Sequence, residues 1–241
     1  MTNSINKTVL ISGASSGIGE ATVRELAATS ARLFIGARRT DRLEALAAQL
    51  GSNVAWCALD VTDAGSFASF AAAAQERFGQ LDVLINNAGI MPLSPLAAMK
   101  QDEWARMIDV NIRGVLNGIA AVLPGFVAQG AGHVVNVASI AAHVVLPGAA
   151  VYCATKHAVW AITEGLRQEH DEIRATIISP GVVATELGHD ISDPTIASAL
   201  EGWRQKSLTP DAIARAIRYA LEQPDGVDIN EVIVRPTAAN M

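Results

Sequence analysis

Tyr152 and Lys156 stand four residues apart in "YCATK", and Ser139 lies thirteen residues before the tyrosine in "NVASIA". On a helix, positions i and i+4 share a face, so the phenol and the ammonium become neighbours. A free phenol titrates near ~10, and a nearby ammonium favours its phenolate. Such a tyrosine can give a proton to an oxygen and take one back. A serine hydroxyl beside it can hold that oxygen. Singly, each residue has an ordinary explanation: packing for the tyrosine, solvation for the lysine, a turn for the serine. Together they need a scaffold that joins a strand end to a helix face.

The chain supplies one. Short apolar runs at 8–12, 32–36, 54–59, 81–86, 133–139, 173–179 and 230–236 read as strands. Helical patterns fall between them, at 17–29, 41–50, 64–78, about 102–126, 152–170, about 195–206 and 210–222. Gly114, Gly118 and Pro124 are expected to bend or shorten the long one. Strands of continuous Val, Ile and Leu alternating with helices predict a parallel sheet covered on both faces. The fold class is therefore α/β, doubly wound, with about seven strands in a single domain over 1–241. Ligands of such folds sit at the carboxyl ends of the strands.

Composition excludes several alternatives. The 241 residues are 50% hydrophobic and 17% charged, enough for a large core and too apolar for disorder. A net charge of −6 gives no basic footprint for nucleic acid. No apolar run reaches the ~18 residues of a membrane helix, and the N-terminus lacks the apolar stretch of a secretory signal. Cys57 and Cys153 form no zinc or redox spacing, and His143, His170 and His189 show no metal pattern. His157 and Cys153 flank the dyad but read as packing. The expectation is a protein of a reducing, cytoplasmic compartment, without metal, membrane or nucleic-acid partner.

After the first strand comes "SGASSGIGE", with Gly13, Gly17 and Gly19 at the strand-to-helix turn. A tight turn, close backbone approach and a helix N-terminus suit a dinucleotide pyrophosphate. The second strand ends in Ala37, Arg38 and Arg39, where an acidic residue would bind the ribose hydroxyls of NAD. Guanidinium suits a 2′-phosphate instead, so the expected cofactor is NADP(H). Arg38, next to the strand end, is expected to be the stronger contact.

With "SGASSGIG", "NNAG" at 86–89, Ser139 and Tyr152-x-x-x-Lys156, nearly the whole chain resembles the short-chain dehydrogenase/reductase family of the compact, Rossmann-type, one-domain kind. The usual first-motif threonine is Ser12, and the basic residue that some NADP-preferring members carry before the second glycine is Ser16. The cofactor reading thus rests on Arg38 and Arg39. The resemblance implies that Ser12, Gly13, Ser15, Ser16, Gly17, Ile18 and Gly19 line the diphosphate turn. It places Asp60 and Val61 beside the adenine, and Asn86, Ala88 and Gly89 along the sheet and ribose. Pro180, Gly181, Val183 and Thr185 of "PGVVATEL" would close on the nicotinamide. Asn111 would join a proton relay with Ser139, Tyr152 and Lys156, and Lys156 would also hold the ribose. The family commonly forms homotetramers through the dyad helix and the long helix before it; a homodimer is the smaller alternative.

The substrate pocket is expected from Ile90, Met91, Leu93, Ile140, His143, Val145 and Leu146, with Ser139 and Tyr152 at its reactive end. Residues 186–206 read as a lid that contributes Leu187, Ile191 and Trp203. The resulting expectation is an NADP(H)-dependent carbonyl reductase, reversible as an alcohol dehydrogenase, acting on a largely apolar small molecule. A 3-oxoacyl reductase or 3-hydroxy acid dehydrogenase is the alternative enzyme. A dinucleotide-sensing protein is the alternative from outside enzymology, and the intact Ser–Tyr–Lys set argues against it.

Overall fold

The computed structural model describes residues 5–238. Seven parallel strands, β1 (Thr8–Ser12), β2 (Arg32–Ala37), β3 (Val54–Ala58), β4 (Val83–Asn86), β5 (Gly132–Val137), β6 (Ile173–Pro180) and β7 (Glu231–Val234), form one sheet in the order β3-β2-β1-β4-β5-β6-β7. Strand side chains alternate between the two faces. Val9, Ile11, Val83, Ile85 and Val135 enter one core, and Leu10, Leu84 and Val134 the other. The first core is closed by α1 (Gly17–Ala27), α2 (Thr40–Leu50) and α8 (Pro210–Leu221), through Val23, Leu26, Leu43, Leu46, Ile213 and Ile217. The second is closed by α3 (Ala64–Phe78), α5 (Gly114–Gln129) and α6 (Ala150–Glu169), through Phe67, Phe70, Val115, Val122, Phe126 and Val159. Burial on both faces is why these strands read as unbroken apolar runs.

Strand order reverses between β1 and β4, and that crevice is where a doubly wound sheet takes its ligand. The long helix is one rod from 101 to 129, and neither Gly114, Gly118 nor Pro124 shortens it. Its hydrogen-bond pattern widens earlier, between α4 (Gln101–Ile108) and α5, where Asp109–Arg113 form a π turn. Length and composition alone would let this helix cross a membrane. Val115, Ile119, Val122 and Phe126 instead pack it on the sheet as a core helix. Its far side leaves Ile108 and Leu116 about half exposed, with Trp160 of α6 also in solvent.

A buried amide chain ties the centre of the sheet to α6. Asn86 Nδ2 donates to Asn136 Oδ1 at 2.9 Å, and Asn136 Nδ2 donates to Thr163 Oγ1 at 2.8 Å. Gly118 of α5 passes so close that a Cβ there would lie 2.3 Å from Asn86 Oδ1. Overpacking of this kind costs about 1–3 kcal/mol. Gly118→Ala should therefore lower unfolding stability in urea by that amount, despite the better helix propensity of alanine; an unchanged midpoint would show that α5 can shift freely.

Candidate active site

The first loop is shaped by close approach. Gly13 and Gly17 have φ of +67° and +57°, the left-handed region that favours glycine. A Cβ on Gly13 would stand 2.7 Å from the Ala88 Cα, and one on Gly19 would stand 2.3 Å from the Gly13 carbonyl oxygen. Gly19 thus serves the packing of α1 on the turn. Ser12 is buried: its Oγ donates to the Ile85 carbonyl at 3.4 Å and accepts from the N–H groups of Asn87 and Ala88. It fastens β1 to β4 and does not line the cleft. Asn86 likewise points into the sheet, on Asn136, while its neighbour Asn87 faces the cleft and donates to the Ser12 and Gly13 carbonyls at 3.1 Å.

One continuous cleft of about 1100 Å³ runs from this turn to the lid. Gly13, Ser15, Ser16, Gly17, Ile18, Arg38, Arg39, Asp60, Val61, Ala88, Gly89, Pro180, Gly181, Val183 and Thr185 all line it. Glycine backbone at the start of α1, with no Cβ in the way, fits a dinucleotide phosphate. Arg38 is exposed and makes no hydrogen bond within the described residues, though its charge reaches Asp60. Asp60 is held below the usual carboxylate range by the Thr62 hydroxyl, then the Thr62 N–H and Arg38. Arg39 is engaged on three sides: Nε donates to Ser15 Oγ at 3.2 Å, Nη2 to Ser16 Oγ at 2.6 Å, and Nη1 to Glu186 Oε2 at 2.6 Å.

At the centre of the cleft, Ser139 ends the β5 loop and opens the 3₁₀ turn Ile140–Ala142, its Oγ accepting from the Ala141 N–H at 3.1 Å. Tyr152 and Lys156 are both buried on α6. Burial pushes the Tyr152 phenol up to about 12, against the opposing effect of its hydrogen bond with Ser139. Burial also brings Lys156 down to about 8. The Lys156 Nζ donates to the Val137 carbonyl at 3.0 Å and lies 5.8 Å from the centre of the tyrosine ring. The i, i+4 pairing predicts a lowered phenol. Desolvation outweighs it, and the phenol is protonated at neutral pH.

Asn111 sits in the π turn and is buried away from the cleft wall. Its Oδ1 accepts from the Ile90 N–H at 2.9 Å, and its Nδ2 donates to the Ile90 carbonyl at 3.0 Å and to Thr155 Oγ1 at 3.1 Å. Those bonds occupy both ends of the side-chain amide. It clamps the loop after β4 to α6, one residue from the lysine. Wide turns of this type are common at functional sites.

The reactive end is apolar. Ile90, Met91, Leu93, Ile140, Leu146, Leu187 and Trp203 line it. Val145 does not, being 68% exposed on the outer side of its loop. His143 is also absent from the wall: its Nε2 meets Ser179 Oγ at 3.0 Å and Glu231 at 2.8 Å. Ile191 packs beside the cluster of Leu93, Met107 and Tyr152 without reaching the lining. The segment 186–206 contains α7 (Pro194–Arg204). Ile196 of that helix presses on Gly148, and Leu200 on Gly188, so the helix lies across the cleft. Asp190 pairs with Arg106 at 3.7 Å, and Ser192 bonds Lys100 and Glu103 at the start of α4. Sequence reasoning missed Asn87, Thr155 and Glu186. Asn87 stood inside the "NNAG" signal; Glu186 was legible only as an acidic residue next to Thr185.

Comparison with known proteins agrees with this architecture. The sequence profile of the family described as short chain dehydrogenase matches residues 7–195. An uncharacterized oxidoreductase of Staphylococcus saprophyticus is 51% identical, over the full length of both chains. An alcohol dehydrogenase from the archaeon Thermococcus sibiricus, solved with 5-hydroxy-NADP, superposes with a TM-score of 0.88 at 33% identity, covering 98% of each chain. A short-chain dehydrogenase/reductase from Burkholderia phymatum, solved with NAD, gives 0.87 at 25% identity, covering 97% of this chain and 90% of its own. With its glycine turn, its Ser–Tyr–Lys cluster and a match over most of its length, the chain belongs to the short-chain dehydrogenase/reductase family of oxidoreductases.

Proposed function

We propose that this oxidoreductase uses NADP(H) to interconvert a small, largely apolar ketone or aldehyde and the corresponding alcohol. The observation that carries the reading is the placing of Ser139, Tyr152 and Lys156, the last two buried, in one largely apolar cleft that leads to two arginines. When bound, the nicotinamide supplies or accepts the hydride at the carbonyl carbon. The chain handles the oxygen. Ser139 holds it, and Tyr152 delivers a proton to it in reduction or withdraws one from the alcohol in oxidation. Lys156 is suited to the nicotinamide ribose and adds positive charge below the ring. The segment 186–206 acts as a lid that excludes water and shapes substrate choice.

Exposed apolar side chains on α5 and α6, Leu116 at 45% and Trp160 at 39%, support packing against further copies of the chain as a homotetramer. Light scattering should give four times the chain mass; a monomer at micromolar concentration would overturn that assembly.

Tyr152→Phe should fold and bind NADPH as the parent does, yet lose about 10²–10⁴-fold in turnover. With the phenol raised to about 12, the phenolate fraction grows as pH rises. Alcohol oxidation by the parent should accordingly accelerate through the alkaline range, up to about tenfold per pH unit. A folded Tyr152→Phe protein that keeps its turnover, or a flat oxidation profile in the parent, would remove the tyrosine from the role.

Arg38→Ala should reduce the preference for NADPH over NADH about ten- to a hundredfold, the worth of one charge-assisted contact to a phosphate. NADH binding should hardly change, since it carries no 2′-phosphate. The readout is the ratio of kcat/KM for the two cofactors. A parent that already prefers NADH would refute the cofactor assignment.

A further inference from the structure

Glu186 begins the segment after β6 and lines the cleft opposite Arg38 and Arg39. Its two carboxylate oxygens are divided between two arginines at the start of α2. Oε2 accepts from Arg39 Nη1 at 2.6 Å, and Oε1 accepts from Arg42 Nη1 of α2 at 2.8 Å. The same Arg39 guanidinium is held by the hydroxyls of Ser15 and Ser16, the two serines of the glycine turn. An arginine fork lying among hydroxyls at that turn is built for an anion with several oxygens. Here the anion is the protein's own carboxylate.

We infer that Glu186 is a specificity-determining residue that stands in for a cofactor 2′-phosphate: it neutralises Arg39 in the free protein and must yield that guanidinium when a 2′-phosphorylated nucleotide binds. The inference rests on the NADP(H) reading for its biological sense, although the competition itself is a property of this site. Both arginines hold the Glu186 carboxyl well below its ordinary range, Arg42 first and Arg39 second, so it is ionised at any working pH. A permanent negative charge on the phosphate's own partner opposes phosphate binding in two ways. It occupies the donors, and it repels a dianion that approaches them. The pairs are nearly half exposed. Exposed ion pairs contribute about 0.2–1 kcal/mol each, or about 1.4- to 5-fold in binding per pair. The Arg42 pair survives the exchange, so the competition is worth that of the single Arg39 pair.

Because Glu186 opens the lid segment, the exchange is also mechanical. When Arg39 turns to a phosphate, the lid retains only Arg42 on this side, together with the Asp190–Arg106 pair and the Ser192 bonds on the other. Phosphate recognition and the freedom of the lid then draw on the same arginine.

The test is Glu186→Gln, which keeps size and removes charge at a surface-accessible position. Isothermal titration with adenosine 2′,5′-bisphosphate and with 5′-AMP separates the phosphates without turnover. The expected result is about 1.4- to 5-fold tighter bisphosphate binding, with 5′-AMP binding unchanged. Bisphosphate affinity that is unchanged or weaker overturns the inference. Equal tightening of both ligands also overturns it, since the carboxylate would then oppose the 5′-phosphate. The cofactor reading is judged separately, by the kcat/KM ratio of the parent. A parent that prefers NADH, with Glu186→Gln gaining bisphosphate affinity, would lose that reading and keep this inference. A parent that prefers NADPH, with Glu186→Gln unmoved, would do the reverse.

Discussion

The junction between β1 and β4 is the contact on which the site depends. At the point where strand order reverses, two loops leave the sheet in opposite senses and must remain back to back. Ser12 achieves this with one hydroxyl that serves three backbone groups, while the Asn87 amide closes the other side on the Ser12 and Gly13 carbonyls. The Ser12 hydroxyl and the Ile85 carbonyl are buried, so leaving that bond unmade would cost the desolvation of its partner. The absence of a Cβ at Gly13 then lets the loops touch. The phosphate end and the hydride end of the cleft are thereby fixed relative to one another, before any ligand arrives.

The same dryness governs the reactive groups. Burial works against charge on both, raising the phenol and lowering the amine. For stability the two oppose each other. The raised Tyr152 contributes below its unfolded value near ~10 and is lost as pH climbs through about 12. The lowered Lys156 contributes only above its unfolded value near ~10.4, and that contribution is lost as pH falls through about 8. Near neutrality, then, the tyrosine is comfortable and the lysine is not. Among the described residues the lysine donates to the Val137 carbonyl alone, which leaves its other protons to be satisfied from the cleft.

Much of this was legible in the residues. The seven strands and the longer helices followed from apolar period, the two 3₁₀ turns and the π turn did not, and the helix over 64–78 was bounded correctly because Asp63 caps it and Gly79 ends it. The glycine turn and the dyad were readable because local chemistry dictates them: left-handed backbone at Gly13 and Gly17, and i, i+4 spacing on one helix. What was not legible depends on partners distant in sequence. Asn111 gave a motif but not its contact with Ile90, and the π turn that it occupies has no signature in periodicity. Val145 looked like pocket because it neighbours pocket residues, yet a loop can turn any one apolar side chain outward. Glu186 meets Arg39 across 147 residues, a distance over which composition carries no information.

The π turn has one more effect. Adding a residue to a helix rotates everything after it by about 100° and advances it by about 1.5 Å. The register of α5 is therefore set at Asp109–Arg113: it decides that Val115, Gly118, Ile119 and Val122 meet the sheet while Leu116 meets solvent. Losing one residue there would restore a regular helix and carry Gly118 off Asn86, bringing a side chain where none fits. The segment consequently cannot tolerate length change in the way a surface loop does. A single-residue deletion would break the core and the Ile90 clamp together, so the extra residue ties catalytic geometry to the survival of the fold.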